Sequence, residues 1–206
     1  MLSCRNVSLR KITKNSLICT KMDYPSKNSK NEPAQWFVMN AYRKEKSAEI
    51  ILENKGFQYF IPKHYVIRSI AGKPKRLLVP VIPNLVFING KYDDINAFQN
   101  LYPFISFATM RKEGKNVIMK VPDKEMENFI IVASKLDEDI MFFKPEEIEL
   151  KKGMKVRILD GPFKDSVGIL QKIKGKRNKR LVVEIEGMIS AVASYIKPEF
   201  IQIIEQ

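Results

Sequence analysis

The chain has 206 residues, 45% of them hydrophobic, and no apolar run approaches the ~18 residues that would suggest a membrane span. Against 23 Asp and Glu stand 36 Lys and Arg, and the resulting net charge of +13 predicts attraction to polyanions or to an acidic partner. Two cysteines, Cys4 and Cys19, and one histidine, His64, exclude a disulfide framework and a multi-histidine metal centre, and they suit a reducing, cytoplasmic compartment.

Charge marks the boundaries. Residues 1–33 carry +5, residues 34–136 carry +7, residues 137–149 carry −5 and residues 150–206 carry +6. The first stretch is rich in Ser, Asn and Lys and has too few apolar residues to bury a core, so a disordered basic leader is expected over 1–33. Its acid-poor character resembles a mitochondrial transit peptide, yet its apolar residues form no sustained amphipathic stripe. Translation from Met22 would make residues 1–21 no part of the protein.

From Trp36 the pattern becomes orderly. "WFVMNAY" predicts a strand, and "RKEKSAEIILENKG" predicts a helix with Ala48, Ile51 and Leu52 on one face and Gly56 as its C-cap. Phe57 to Ile70 is extended and broken at Pro62; "AGKPKR" is a hairpin tip, and Asn84 to Asn89 returns as a strand. Asp93 or Asp94 can N-cap a short helix that buries Ile95, Phe98 and Leu101. Extended segments follow at Phe104 to Met110 and Asn116 to Lys120, and a last helix from near Asp123 buries Met126, Phe129, Ile130 and Ala133. The order β-α-β-β-α-β describes an α+β, ferredoxin-like antiparallel sheet with helices packed on it, over residues 34–136.

Residues 137–150 read as an acidic linker around Pro145, although Ile140, Met141, Phe142 and Phe143 are apolar enough to dock on either neighbour. Beyond it, "KVRILDGPFKDSVGIL" alternates with a period of two, with Val156 and Ile158 to one side and Lys155, Arg157 and Leu159 to the other. Asp160-Gly161-Pro162 is a turn, and Phe163 directly after it is expected to fold back over the end of a small barrel. Gly168 allows close backbone approach or a bulge. With further strands at Val167 to Ile173, Arg180 to Ile185, Ile189 to Ser194 and Ile201 to Ile203, residues 151–206 predict a small five-stranded SH3-like barrel.

Trp-aromatic-Val, the strand "FIPKHYVI", a basic hairpin, "VPVIPNLVF", a linker and "GMKVRILDGPFKDSVGIL" together resemble the NusG transcription elongation factors. The first domain resembles the NusG N-terminal domain. The second resembles a KOW domain, whose signature is matched by Gly153, Val156, Gly161, Pro162, Phe163 and Gly168. Ile82-Pro83-Asn84-Leu85 stands where housekeeping members usually read Phe-Pro-Gly-Tyr, and the Pro-Asn resembles the specialised RfaH and UpxY branches. The tail "EGMISAVASYIKPEFIQIIE" and the helix "VPDKEMENFIIVAS" are most similar to the UpxY antiterminators of Bacteroides-type bacteria, which act on capsular polysaccharide operons.

The resemblance implies a cytoplasmic, monomeric antitermination factor that is not an enzyme, needs no cofactor or metal and binds the RNA polymerase clamp. Trp36, Val81, Ile82, Pro83, Asn84 and Leu85 match the segment that receives the clamp helices; core packing accounts for the same residues without a partner. Arg43, Lys44 and Lys46, with Arg68, Lys73, Lys75 and Arg76 around the hairpin tip, would lie at one end of the domain and hold non-template DNA or nascent RNA; a solvated cationic face is the other reading. "KGKRNKR", Lys174 to Arg180, is a second basic tip, suited to RNA, a ribosomal protein, a termination factor or plain solubility. No Ser/His/acid set, phosphate-binding glycine loop or Cys/His cluster can be assembled, and His64 reads as a surface or packing residue. A ribosome-associated KOW RNA-binding protein and a housekeeping NusG are the alternatives.

Overall fold

The structure, a computed structural model, describes residues 33–206 except 137, 145, 146, 148–152, 174, 176, 187, 195 and 206. The leader with Cys4, Cys19 and Met22, and Lys174 and Lys176 of the second basic tip, lie outside the described residues. The N-terminal sheet is built from β1 (Gln35–Asn40), β2 (Gln58–Phe60), β5 (Leu85–Gly90), β6 (Ser106–Phe107) and β9 (Lys120–Val121). Its order is β2-β5-β1-β6, with β9 also pairing β1, and every pairing is antiparallel.

Strand alternation sends Phe37 and Met39 to one face of this sheet and Trp36 and Val38 to the other. On the first face Phe37, Met39, Val86 and Ile88 pack with Ala48 and Leu52 of α1 (Glu45–Lys55) and Ile95 and Phe98 of α2 (Tyr92–Leu101). On the second face Trp36, Val38, Phe60 and Phe87 pack with Met126, Phe129 and Ile130 of α3 (Asp123–Ala133). The helices therefore cover both faces, where a ferredoxin-like sandwich would put them on one.

The predicted helices form with local differences. Gly56 closes α1 at φ 72°, and Phe57 N–H donates to the Leu52 carbonyl. α2 starts one residue before the two aspartates, so Lys91 is the N-cap and Asp93 and Asp94 sit in the first turn, where they favour the positive end of the helix dipole without capping it. Leu101 at the end of α2 is 69% exposed rather than buried.

Two hairpins extend from the sheet. β3 (Lys63–Ile70) pairs with β4 (Lys73–Pro80) over eight residues, and the tip is Ala71-Gly72 alone, both at positive φ. Lys73, Lys75 and Arg76 consequently lie on β4, not in the turn. A second hairpin, β7 (Thr109–Lys112) with β8 (Lys115–Ile118), is inserted between β6 and β9.

The C-terminal sheet contains β10 (Met141–Phe143), β11 (Met154–Ile158), β12 (Val167–Lys172), β13 (Lys179–Ile185), β14 (Ile189–Val192) and β15 (Ile201–Glu205), in the order β10-β14-β13-β12-β11-β15. The five expected strands are present. A sixth comes from the expected linker, because Met141, Phe142 and Phe143 pair with Val192, Ala191 and Ser190. The hydrogen-bonded order has two ends among the described residues, so this is a six-stranded antiparallel sheet and not the closed five-stranded barrel predicted above.

Val156 and Ile158 are fully buried and Leu159 is exposed, as the alternation requires. Gly161 adopts φ 89°, Lys164 N–H closes a turn onto the Gly161 carbonyl, and Phe163 is 2% exposed. At Gly168 a Cβ would stand 2.4 Å from the Val182 carbonyl oxygen, so this position must be glycine for β12 to lie against β13. No helix of the described residues is long and apolar enough to cross a membrane.

Candidate functional site

Val81, Ile82 and Pro83 connect β4 to β5. Val81 N–H donates to the Pro62 carbonyl at 2.8 Å, which holds this connection against the foot of β3. Val81 and Ile82 are half-buried and Pro83 is exposed, and they line a groove of about 520 Å³ with His64, Phe142 and Ile189. Leu85 is 8% exposed and belongs to the core beneath.

Trp36 is separate from this groove. It pairs with Asn89 while Asn40 pairs with Leu85, so four residues of strand, about 13 Å, separate the two levels. Trp36 is 4% exposed and borders a recess formed with Gln58, Asn89, Asp123 and Glu127. The expected clamp-binding set is thus divided between a groove (Val81, Ile82, Pro83), the core (Leu85, Trp36) and a brace (Asn84).

Asn84 is that brace. At φ 69° it occupies the left-handed region that asparagine tolerates better than most residues. Its Oδ1 accepts the Arg43 N–H at 2.5 Å, its own N–H donates to Glu45 Oε1 at 2.5 Å, and its carbonyl accepts the Ala41 N–H at 2.7 Å. These bonds hold a loop in which Tyr42 and Arg43 both have positive φ, and the loop presents Tyr42, Arg43 and Lys44 to solvent. Lys44 Nζ lies 5.2 Å from the centre of the Phe104 ring, and Lys46 is exposed on α1.

The β3–β4 hairpin leaves the same end of the sheet, and Lys63 Nζ ties its base to Glu49 of α1 at 2.6 Å. Register divides its cations between two faces. Arg68, Lys73 and Lys75 share one with Ile70 and His64; Arg76 lies on the other, its guanidinium 3.7 Å from the centre of the Tyr65 ring. Arg68, Lys73 and Lys75 thus share one face of the hairpin near its tip, from which Arg76 is turned away, while Arg43, Lys44 and Lys46 lie beside the sheet end from which the hairpin leaves. Ile67, 77% exposed, stands opposite Arg76 on that other face.

The C-terminal sheet lies against α3, which packs on β13 and β14 as well as on β1. Val167 N–H donates to Asn128 Oδ1 at 2.8 Å, and Ser194 Oγ donates to Glu138 Oε2 at 2.7 Å. The linker strand closes over the Val81–Pro83 groove: Ile140 and Phe142 line it, and the Phe142 ring meets His64 edge-on at 6.5 Å. Beside α3 a cleft of about 650 Å³ gathers Glu125, Asn128, Lys155, Glu184 and Glu186. Burial pushes the Glu184 carboxyl above its ordinary value, and the neighbouring Glu186 and Glu125 push it further in the same direction.

Sequence reasoning left the docking of Ile140 to Phe143 open but missed its pairing as a strand, the Asn128 contact and the acidic cleft. The first had a signal in four consecutive apolar residues within an acidic stretch; the other two depend on long-range packing that no local pattern records.

Residues 34–130 match the family model described as NusG, transcription termination factor nusG. The match covers just under half of the chain, and over those residues the chain is similar to the NusG family. No curated protein matches the chain. Among solved structures, the one described as "Domain interaction in Thermotoga maritima NusG" is 21% identical, covers 84% of this chain and 98% of its own, and superimposes with a TM-score of 0.39. The match ends within α3, so it includes the brace, both hairpins and the Val81–Pro83 side of the groove, whereas Ile140, Phe142 and Ile189 on its other side lie beyond it.

Proposed function

We propose that the chain is a transcription elongation and antitermination factor that binds RNA polymerase through its NusG-family domain and holds nucleic acid beside it. The observation that carries this reading is the half-buried apolar surface of Val81, Ile82 and Pro83, which lies within the family match and joins the cationic β3–β4 hairpin to β5. An apolar surface of this kind suits helices of a partner, while Arg43, Lys44, Lys46, Arg68, Lys73 and Lys75 suit phosphates. The protein acts as a cytoplasmic monomer by binding, with no reaction of its own, and the clamp of the polymerase is the partner.

Because Ile140 and Phe142 line the groove, clamp binding and docking of the linker strand compete for one surface. Binding therefore draws on a population in which the linker and the C-terminal sheet have lifted away. Residues 34–136 form the polymerase-binding domain and 151–206 a KOW-type domain that, once released, recruits a ribosomal protein or a termination factor. Ile82-Pro83-Asn84-Leu85 supports a specialised, UpxY-like role on a polysaccharide-biosynthesis operon.

Purified protein, with and without Ile82→Asp, tests the reading in a binding and pausing assay with RNA polymerase. Wild-type protein is expected to bind and shorten pauses, and the folded variant to do neither. Failure of the wild type to bind polymerase would overturn the proposal. For the operon, deletion of the gene should shorten transcripts of a polysaccharide cluster and leave other long operons intact.

A further inference from the structure

The second hairpin, β7–β8, takes no part in the groove or in the cationic segments described above. Its base is fixed to the middle of β1 by Ala108 N–H to the Val38 carbonyl at 2.9 Å and Val38 N–H to the Met119 carbonyl at 3.1 Å, and its two legs are joined there by Met119 N–H to the Ala108 carbonyl at 2.9 Å. Beyond that base every residue from Thr109 to Val117 is exposed, and a two-stranded ribbon without a covering layer is marginal in water. Its turn is Glu113-Gly114 at φ 51° and 79°, a tight two-residue connection with positive φ at both positions.

Register sorts its side chains. Ile118 leans back on the core of α1 and α2, so the face it shares with Thr109, Arg111 and Asn116 is the inner one. The outer face carries Met110 opposite Val117 and Lys112 opposite Lys115. Two lysines directly opposed across a ladder repel each other, and among the described residues neither has a carboxylate within ion-pair distance. An anion seated between them removes that repulsion. The same arrangement recurs in β3–β4, where Arg68 faces Lys75.

We infer that β7–β8 is a second nucleic-acid-binding ribbon, which inserts into the major groove of duplex DNA with Lys112 and Lys115 on phosphates and Arg111 and Asn116 at its edge. A two-stranded ribbon fits the roughly 12 Å-wide major groove of B-DNA, whereas the major groove of A-form RNA is too narrow for side chains to enter. The exposed Met110 and Val117 pair suits sugar and thymine methyl surface. This contact goes beyond polymerase binding and stands without it.

The test is fluorescence anisotropy of the full chain with a random-sequence DNA duplex of about 20 base pairs, across a salt series. Arg111→Gln, Lys112→Gln and Lys115→Gln together should weaken binding more than tenfold at low salt and lower the log-log salt slope by about 2 to 3, at roughly 0.9 per lost phosphate contact. A charge-matched control, Lys124→Gln with Lys164→Gln and Lys172→Gln, should weaken it less than threefold. If the triple variant fails to fold, the exposed single changes Lys112→Gln and Lys115→Gln carry the same comparison. Equal losses in ribbon and control, no binding by the wild type, or equal binding of duplex RNA would each overturn the proposal.

Discussion

The side-chain carbonyl of Asn128, on α3, accepts the backbone N–H of Val167, the first residue of β12, at 2.8 Å. One hydrogen bond thus joins a helix packed on the N-terminal sheet to the sheet that follows. Asn128→Ala leaves a part-buried donor unpaired, which costs about 1–2 kcal/mol and shifts the docked population by roughly a factor of ten. Amide exchange at Val167 should accelerate accordingly, and polymerase affinity should rise. Unchanged protection at Val167 would show that docking does not depend on this bond.

The groove and the core respond differently to a charge. Ile82 is half-buried at the rim of the groove, so Ile82→Asp should abolish polymerase binding with a small drop in melting temperature. Leu85 is packed beneath, and Leu85→Asp buries an unpaired carboxylate, so that variant should lose several kcal/mol and the cooperative melt of the N-terminal sheet. Circular dichroism melts of the two variants check this. Similar melts would make Leu85 part of the rim.

The acidic cleft predicts a pH dependence. The folded pKa of Glu184 is raised, so the folded state takes up this proton at higher pH than the unfolded chain, whose ordinary value is 4.5. Its stabilising contribution is fully present below 4.5 and is lost as pH rises through the folded value. Lys155 of β11 also faces the cleft, so the repulsion among Glu125, Glu184 and Glu186 is partly offset. Glu184→Gln should raise the melting temperature at pH 7 and flatten its rise on acidification. A melting temperature that falls in the variant at pH 7 would contradict this.

Much of the fold could be read locally because its signals are local. The period-2 pattern at Val156 and Ile158, the Gly56 C-cap and the start of α3 at Asp123 each follow from a few adjacent residues. The site was less legible because its parts are sorted by register and docking. Arg76 separates from Arg68 and Lys75 through strand alternation, and Asn84 turns from the groove because its left-handed backbone aims its amide at Arg43. Leu101 reads as core by helical spacing, yet the next residue, Tyr102, takes that place against Ile95 and Phe98 and leaves Leu101 exposed. Met141–Phe143 reads as linker by its acidic neighbours, and becomes a strand because β14 offers a free edge.

The last prediction concerns Phe163. Its ring is 2% exposed after the turn at Gly161, and Ser166 Oγ donates to its carbonyl at 2.6 Å, so the turn is fixed on both sides of the aromatic. Phe163→Ala should remove about 3–5 kcal/mol, enough to unfold a sheet of this size. The buried cluster containing Phe163 also runs through α3 to Trp36, which sets up two distinct outcomes. If α3 is held mainly by Val38, Phe60 and Phe87, the N-terminal sheet with its helices survives on its own. Polymerase binding is then retained or strengthened, because the linker strand loses β14 as its partner and leaves the groove. If α3 needs both sheets, one substitution melts the whole chain in a single transition. Independent stability of the first domain is the expected result, read by limited proteolysis as a protected fragment ending near residue 136. A single cooperative loss, with no protected fragment and no polymerase binding, would overturn the division into a binding domain and a removable cover.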